Sequence, residues 1–168
     1  MKKKKKDSLG HYFDSHDVRK LIGLDTQPCL YILMRSDLHS LNPGKAMAQA
    51  SHAANAMAHK IKQAGRKNIG KHIYNMLTKW EGQTGQGFGT CLVLDCHNEE
   101  TMIDTLALLH SNDGGGDGVV SEIINDTSYP VRDGEITHYI SVNTCAYAFI
   151  DKNDEALCSS LSHLNLYK

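Results

Sequence analysis

With 168 residues, 40% of them apolar and 22% charged, the chain has the make-up of one globular domain large enough to bury a core. No run approaches the roughly 18 apolar residues of a membrane span, and Lys2–Lys6 lead into no apolar segment of the kind a secretory signal carries, which points to a cytoplasmic protein with no membrane partner. The formal charge of −1 conceals a division: up to Trp80 there are fifteen Lys and Arg against five Asp and Glu, and from Glu81 three against fourteen, so the first half suits an anionic partner.

Five Cys without a C-x-x-C pair argue against a disulfide framework and against a zinc site. Cys91 and Cys96 are five apart in a strand-like run, so they point to opposite faces and share no metal. The ten His are scattered, and none is paired with a carboxylate in metal-binding register. No metal site is expected.

Residues 1 to about 28 read as a basic and polar extension, and 29–168 as one α/β domain. The lysines of the extension suit either a solubilising tail or an arm drawn to RNA phosphates. Asp14–Gly23 has the pattern of a short helix stopped by its Gly. Leu30–Met34 is an apolar run of strand length. Turn formers follow from Arg35 to Asn42, and Pro43 stands at a favoured helix-entry position. From Gly44 to about Lys60 the chain is rich in Ala, Met and Gln, as a helix requires.

Helical spacing sorts that segment into two stripes. Lys45, Gln49 and His52 share one; Met47, Ala50, Ala54 and Met57 share another that is small, apolar and suited to lying on a sheet. Lys45 falls in the first turn, where free N–H groups and the positive end of the helix dipole repel it. Either an anion is expected there or the Lys is simply solvated. After Gly65, Asn68–Trp80 reads as a second helix with Ile69, Ile73, Met76, Leu77 and Trp80 on one side. Lys60, Lys62, Arg66, Lys67, Lys71 and Lys79 form a basic band across these two helices, a track for RNA phosphates or a solvated face.

The glycines of Gly82–Gly89 precede a strand, Thr90–Asp95, instead of following one, which excludes a dinucleotide fingerprint. Glu99–His110 reads as a helix capped by Asn98, and Asp113–Gly118 as a mobile loop. Val119–Ile124 fits a strand or a short helix. Tyr139–Ile150 alternates loosely as one or two strands, and Asp154–Leu161 closes as a helix. Strands alternating with helical patterns predict a three-layer α/β/α sandwich around a small mixed sheet of about four strands.

Arg35-Ser36-Asp37-Leu38, followed by Gly44-Lys45-Ala46-Met47-Ala48-Gln49-Ala50-Ser51-His52-Ala53, resembles the signature of the archaeal and eukaryotic class of peptidyl-tRNA hydrolases. The intervening loop is one residue longer than the family's, and Met47 replaces an Ala. A second stretch, Arg132-Asp133-Gly134-Glu135-Ile136-Thr137 with the later Thr144, is similar to the family's R-D-A-G-x-T and its following Thr, with Glu135 in place of a Gly. A rival register takes Asp126 as the carboxylate and Thr137 as the later Thr; the distance from Thr144 to His163-Leu164 favours Asp133. The resemblance extends from about residue 29 to the C-terminus.

The resemblance implies cofactor-free hydrolysis of the ester that joins a peptide to the 3′ ribose of tRNA. By that reading Asp133 orients and deprotonates water. Lys45 at the helix mouth steadies the oxyanion or a phosphate. Thr144 and Thr137 supply hydroxyl hydrogen bonds, and Gln49 positions the substrate. His52, two turns from Lys45, is the alternative general base, but it reads better as a substrate-side residue that supports or packs against the site than as part of the chemistry. Lys60, Lys62, Arg66 and Lys67 hold tRNA. Ser51 directly precedes His52, so the two do not face each other and form no nucleophile pair. Family members are often dimers, which leaves a homodimer open, although no interface stripe stands out. The alternative functions are a non-catalytic RNA- or protein-binding module on the same fold, and an esterase or amidase for another acylated nucleotide.

Overall fold

A computed structural model of the protein describes residues 26–114 and 118–168. The lysine-rich arm, the helix expected at 14–23 and part of the loop 113–118 lie outside the described residues. The first strand, β1 (Pro28–Met34), is buried along its whole length. That accounts for its unbroken apolar sequence, because a strand covered on both faces has no polar side to show. It pairs in parallel with β2 (Cys91–Asp95) and antiparallel with the long β4 (Ile136–Asp151). β3 (Val120–Asp133) and the two-residue β5 (Asn165–Leu166) complete a five-stranded mixed sheet in the order β3-β4-β1-β2-β5.

Two helices, α1 (Pro43–Asn68) and α2 (Lys71–Gly82), cover one face of the sheet. Ala53, Met57, Ile61, Met76 and Trp80 pack there against Leu30, Ile32, Tyr147 and Phe149. On the other face α3 (Glu99–Asn112) and α4 (Glu155–Leu161) set Met102, Leu109 and Leu157 against Tyr31, Leu33, Ala146 and Ala148. The α/β architecture is as expected, with one strand more than the sequence pattern suggested. Two residues are too few to leave a period-2 signature, so β5 left no signal.

Local chemistry sets the helix boundaries. Asn42 caps α1 by accepting a hydrogen bond from Lys45 N at 3.0 Å, and Pro43 occupies the entry turn, where its missing N–H is no loss. The helix runs on past Lys60 to a kink at Gly65, whose φ of +67° only glycine takes readily. Asn98 caps α3 as expected, accepting from Thr101 N at 2.8 Å. Val119–Ile124 proves to be mostly strand, opening the 14-residue β3. Its partner β4 is one continuous strand, and the two are joined through Gly134 and Glu135 with Gly134 at φ +58°. The outer half of this hairpin runs beyond the helical layers, and residues 132–141 are all exposed.

Candidate active site

The residues with chemistry gather where β1 ends and α1 begins. Lys45, half-buried in the first turn of α1, reaches across to β3. Its Nζ donates to the Pro130 carbonyl at 2.6 Å and lies 4.7 Å from the centre of the Tyr129 ring. Tyr129 is itself buried, and its hydroxyl accepts from Ser40 Oγ at 3.1 Å, so the ring under the lysine is fixed from the β1–α1 loop. An ammonium over an aromatic face gains roughly 0.5–1 kcal/mol. Among its three donors, Lys45 has one on Pro130, which leaves capacity for an incoming oxygen.

One turn further on, Gln49 is 4% exposed, and both ends of its amide are taken. Its Nε2 donates to Asp126 Oδ2 at 2.7 Å, and its Oε1 accepts from Thr144 Oγ1 at 2.7 Å. These two partners fix the orientation of the amide, since Asp126 can only accept. The second Nε2 hydrogen meets no partner among the described residues. Asp126 also accepts from Ser128 N through its other oxygen at 3.0 Å, the geometry of an Asx turn.

Two compensating irregularities in the hairpin create this cluster. Ile124 faces Cys145 but Asn125 faces Asn143, so Thr144 is an extra residue in β4. Between the pairs Asp126–Val142 and Tyr129–Ile140 the extra residue lies in β3. A bulge turns a side chain off the alternation of its strand. Thus Thr144 and Cys145, adjacent in sequence, both address Gln49: Thr144 bonds the side chain, and Cys145 Sγ donates to the Gln49 carbonyl at 3.6 Å. Burial pushes the Cys145 thiol up to about 12, so it serves packing and is not a nucleophile.

Arg35 and Asp37, the first residues of the sequence signature, hold the loop that leads to this helix. Arg35 donates from Nε and Nη2 to the two Asp37 oxygens at 2.9 and 2.8 Å. That forked contact, the largest influence on the carboxyl, holds Asp37 below the usual carboxylate range. Beside the helix entrance lies an apolar pocket of about 360 Å³, lined by Met34, Leu41, Ala46, Met47, Ala50 and Tyr167.

Lys45, Gln49 and Thr144 are therefore brought together, but the carboxylate among them is Asp126. Asp133 and Thr137 sit at the exposed end of the hairpin, paired with Ile136 and Arg132. Seven positions of extended strand, roughly 20 Å, separate Asp133 from Asp126. The rival register thus names the Asp that meets Gln49, while the favoured one names the Thr that does. The hairpin spends more residues between them than the family spacing allows for. His52 is exposed on the turn after Gln49. Lys60 bonds the Ser121 carbonyl at 3.2 Å and pairs with Glu122 at 3.3 Å, and Lys62 pairs with Glu81 at 2.7 Å. Arg66 and Lys67 are exposed in the last turn of α1. No group of three or more His, Cys, Asp or Glu suited to a metal occurs among the described residues.

Fold and site define an α/β protein whose helix mouth brings a lysine, an amide, a hydroxyl and a carboxylate together. The chain belongs to the peptidyl-tRNA hydrolase PTH2 family, whose family model matches residues 29–145. The match spans β1 through the Thr144 bulge and so contains every residue of the cluster. A search of curated proteins returned no match. No helix among the described residues is long and apolar enough to cross a membrane.

Proposed function

We propose that this protein hydrolyses the ester between a peptide and the 3′-terminal ribose of tRNA, with Asp126 in the role that the resemblance gives to Asp133. The observation that carries this reading is the Gln49 side chain bonded at once to Asp126 and Thr144, one helical turn from Lys45. Asp126 still has acceptor capacity for a water after its bonds to Gln49 and Ser128. That water attacks the ester carbonyl carbon while Asp126 takes its proton. The new C–O bond forms and charge collects on the carbonyl oxygen, which Lys45 meets with a free N–H donor. Collapse breaks the bond to the ribose oxygen, and the proton passes from Asp126 to that leaving group.

Gln49 and Thr144 act through position. The Thr144 hydroxyl fixes the Gln49 carbonyl, and the Gln49 amide holds the carboxylate and offers its remaining hydrogen to the substrate. The pocket beside the helix mouth suits the apolar part of an acyl group, and Met34 and Met47 adapt to side chains of different shape. Exposed Arg66 and Lys67 are assigned to tRNA phosphates, with Lys60 and Lys62 contributing to the same face although each also holds a glutamate. The protein works in translation, in the cytoplasm, without metal or cofactor. Glu135 lies at the hairpin end, far from the cluster, so its departure from the family pattern leaves the proposed chemistry untouched.

The test is release of peptide from peptidyl-tRNA by purified protein. Asp126→Asn loses on the order of 10²–10⁴-fold in turnover, the usual worth of a general base, while Asp133→Asn turns over normally. An inactive Asp133→Asn beside an active Asp126→Asn overturns the assignment. Absence of turnover in the unaltered protein favours the binding-module alternative.

A further inference from the structure

The bulge that turns Thr144 toward Gln49 opens on the α1 face of the sheet, yet one of the groups pinning it comes from a helix on the other face. Asn143, the residue before the bulge, has its carbonyl and both ends of its amide engaged. The carbonyl accepts from Arg35 Nη1 at 2.9 Å, Nδ2 donates to Glu99 Oε1 at 2.8 Å, and Oδ1 accepts from Asn125 Nδ2 at 2.8 Å. Arg35 Nη1 donates also to Glu99 Oε2 at 2.8 Å. Glu99 sits in the first turn of α3, where the free N–H groups of the helix favour a carboxylate. Asn125 is tied in turn to β4, its Oδ1 accepting from Ser141 Oγ at 2.8 Å.

An extra residue in a strand is not held by the ladder itself. Shifted by one position, the bulge would place a neighbour of Thr144 opposite Gln49 and carry the hydroxyl to the other face. Something must select Thr144. The contacts to Asn143 do so, because they fix the orientation of the preceding residue from two sides.

We propose that Glu99 is a positioning residue for the reaction: together with Arg35 it clamps Asn143 and thereby seats the bulge that presents the Thr144 hydroxyl to Gln49. The proposal rests on the hydrolase reading above for its kinetic consequence, but its geometric consequence stands apart from any activity. Glu99 touches no substrate and acts only through Asn143 and Thr144.

Two readouts test it together: kinetics of peptide release for Glu99→Ala, Thr144→Val and the double variant, and the nitrogen-15 NMR signals of the Gln49 side-chain amide. Glu99→Ala lowers kcat by on the order of 10- to 100-fold, as a small misplacement of reacting groups does, with KM held. The double variant loses no more than Thr144→Val alone, and in Glu99→Ala the Gln49 amide signals move toward their positions in Thr144→Val. Glu99→Gln, which keeps one acceptor oxygen, shows a smaller loss of the same kind. Losses that multiply fully in the double variant, or Gln49 signals unmoved in a folded Glu99→Ala protein, overturn the proposal. So does a Glu99→Ala protein that melts earlier with kcat unchanged. Should Glu99→Ala not fold, Glu99→Gln and Asn143→Ala carry the same comparison. If the unaltered protein releases no peptide, the hydrolase reading fails by itself, and the Gln49 signals still decide the clamp.

Discussion

Gln49 shows how a single side chain joins distant parts of the sequence. Its amide spans to residues 77 and 95 positions away, and with Thr144 fully buried neither group has water to fall back on. Gln49→Leu leaves one Asp126 oxygen without its partner and the Thr144 hydroxyl with only the long 3.4 Å bond to the Ile124 carbonyl, which destabilises the fold by about 1–3 kcal/mol. Urea denaturation reads that loss, and peptide release falls with it. Helical spacing made Lys45 and Gln49 legible, since i and i+4 share a stripe whatever the rest of the chain does. The place of Asp126 beside Gln49 was not legible in the same way, because it depends on bulges that no local pattern encodes. One signal was present: Asn125-Asp126-Thr127-Ser128 is a polar, turn-forming break between apolar Ile123-Ile124 and Tyr129, the mark of a strand interrupted where a side chain is re-aimed.

Among the elements, the segment between β1 and α1 is held by charge more than by packing. The forked Arg35–Asp37 contact fixes the loop that delivers Asn42, and Asn42 caps the helix bearing Lys45. Asp37 has a depressed pKa in the folded protein, so its contribution is fully present above the ordinary carboxylate range and fades as pH falls through the lowered value. Acid titration followed by circular dichroism therefore shows a stability loss at low pH that Asp37→Asn, already without the charge, does not share. The principal helices and central strands were readable because period and caps agree along each of them. The hairpin was the exception. Its outer half is exposed on both faces, so burial imposes no alternation there, and residues 136–138 gave no strand signal to extend Tyr139–Ile150 backward.

At the level of the whole molecule, the described residues of the basic first half and of the acidic second half share one sheet, so charge division in sequence becomes partial neutralisation in space. Lys60–Glu122 and Lys62–Glu81 each join the two halves. That pairing narrows the basic band, and Arg66 and Lys67 remain at its exposed end. Replacing both with Ala raises KM for tRNA substrates, leaves kcat unchanged, and reduces the salt slope by about 0.7–0.9 for each phosphate no longer neutralised. Measurement of KM at several salt concentrations checks this, and a slope identical to that of the unaltered protein would count against an RNA role for these residues. The sequence displayed the band but not which of its members are already occupied.

The place of β3 at the border of the sheet has one more effect. A strand there offers a row of vacant amides and carbonyls to any second copy of the chain, the usual route to stacked aggregates. Pro130 lies in that strand with its carbonyl turned away from β4 toward Lys45, and a residue's nitrogen points the same way as its carbonyl. The missing proton therefore breaks no pairing within the molecule and removes a donor where a neighbour would seek one, while the lysine ammonium stops the adjoining acceptor. The contact that anchors Lys45 thus also takes one acceptor of this border strand out of reach of an added strand.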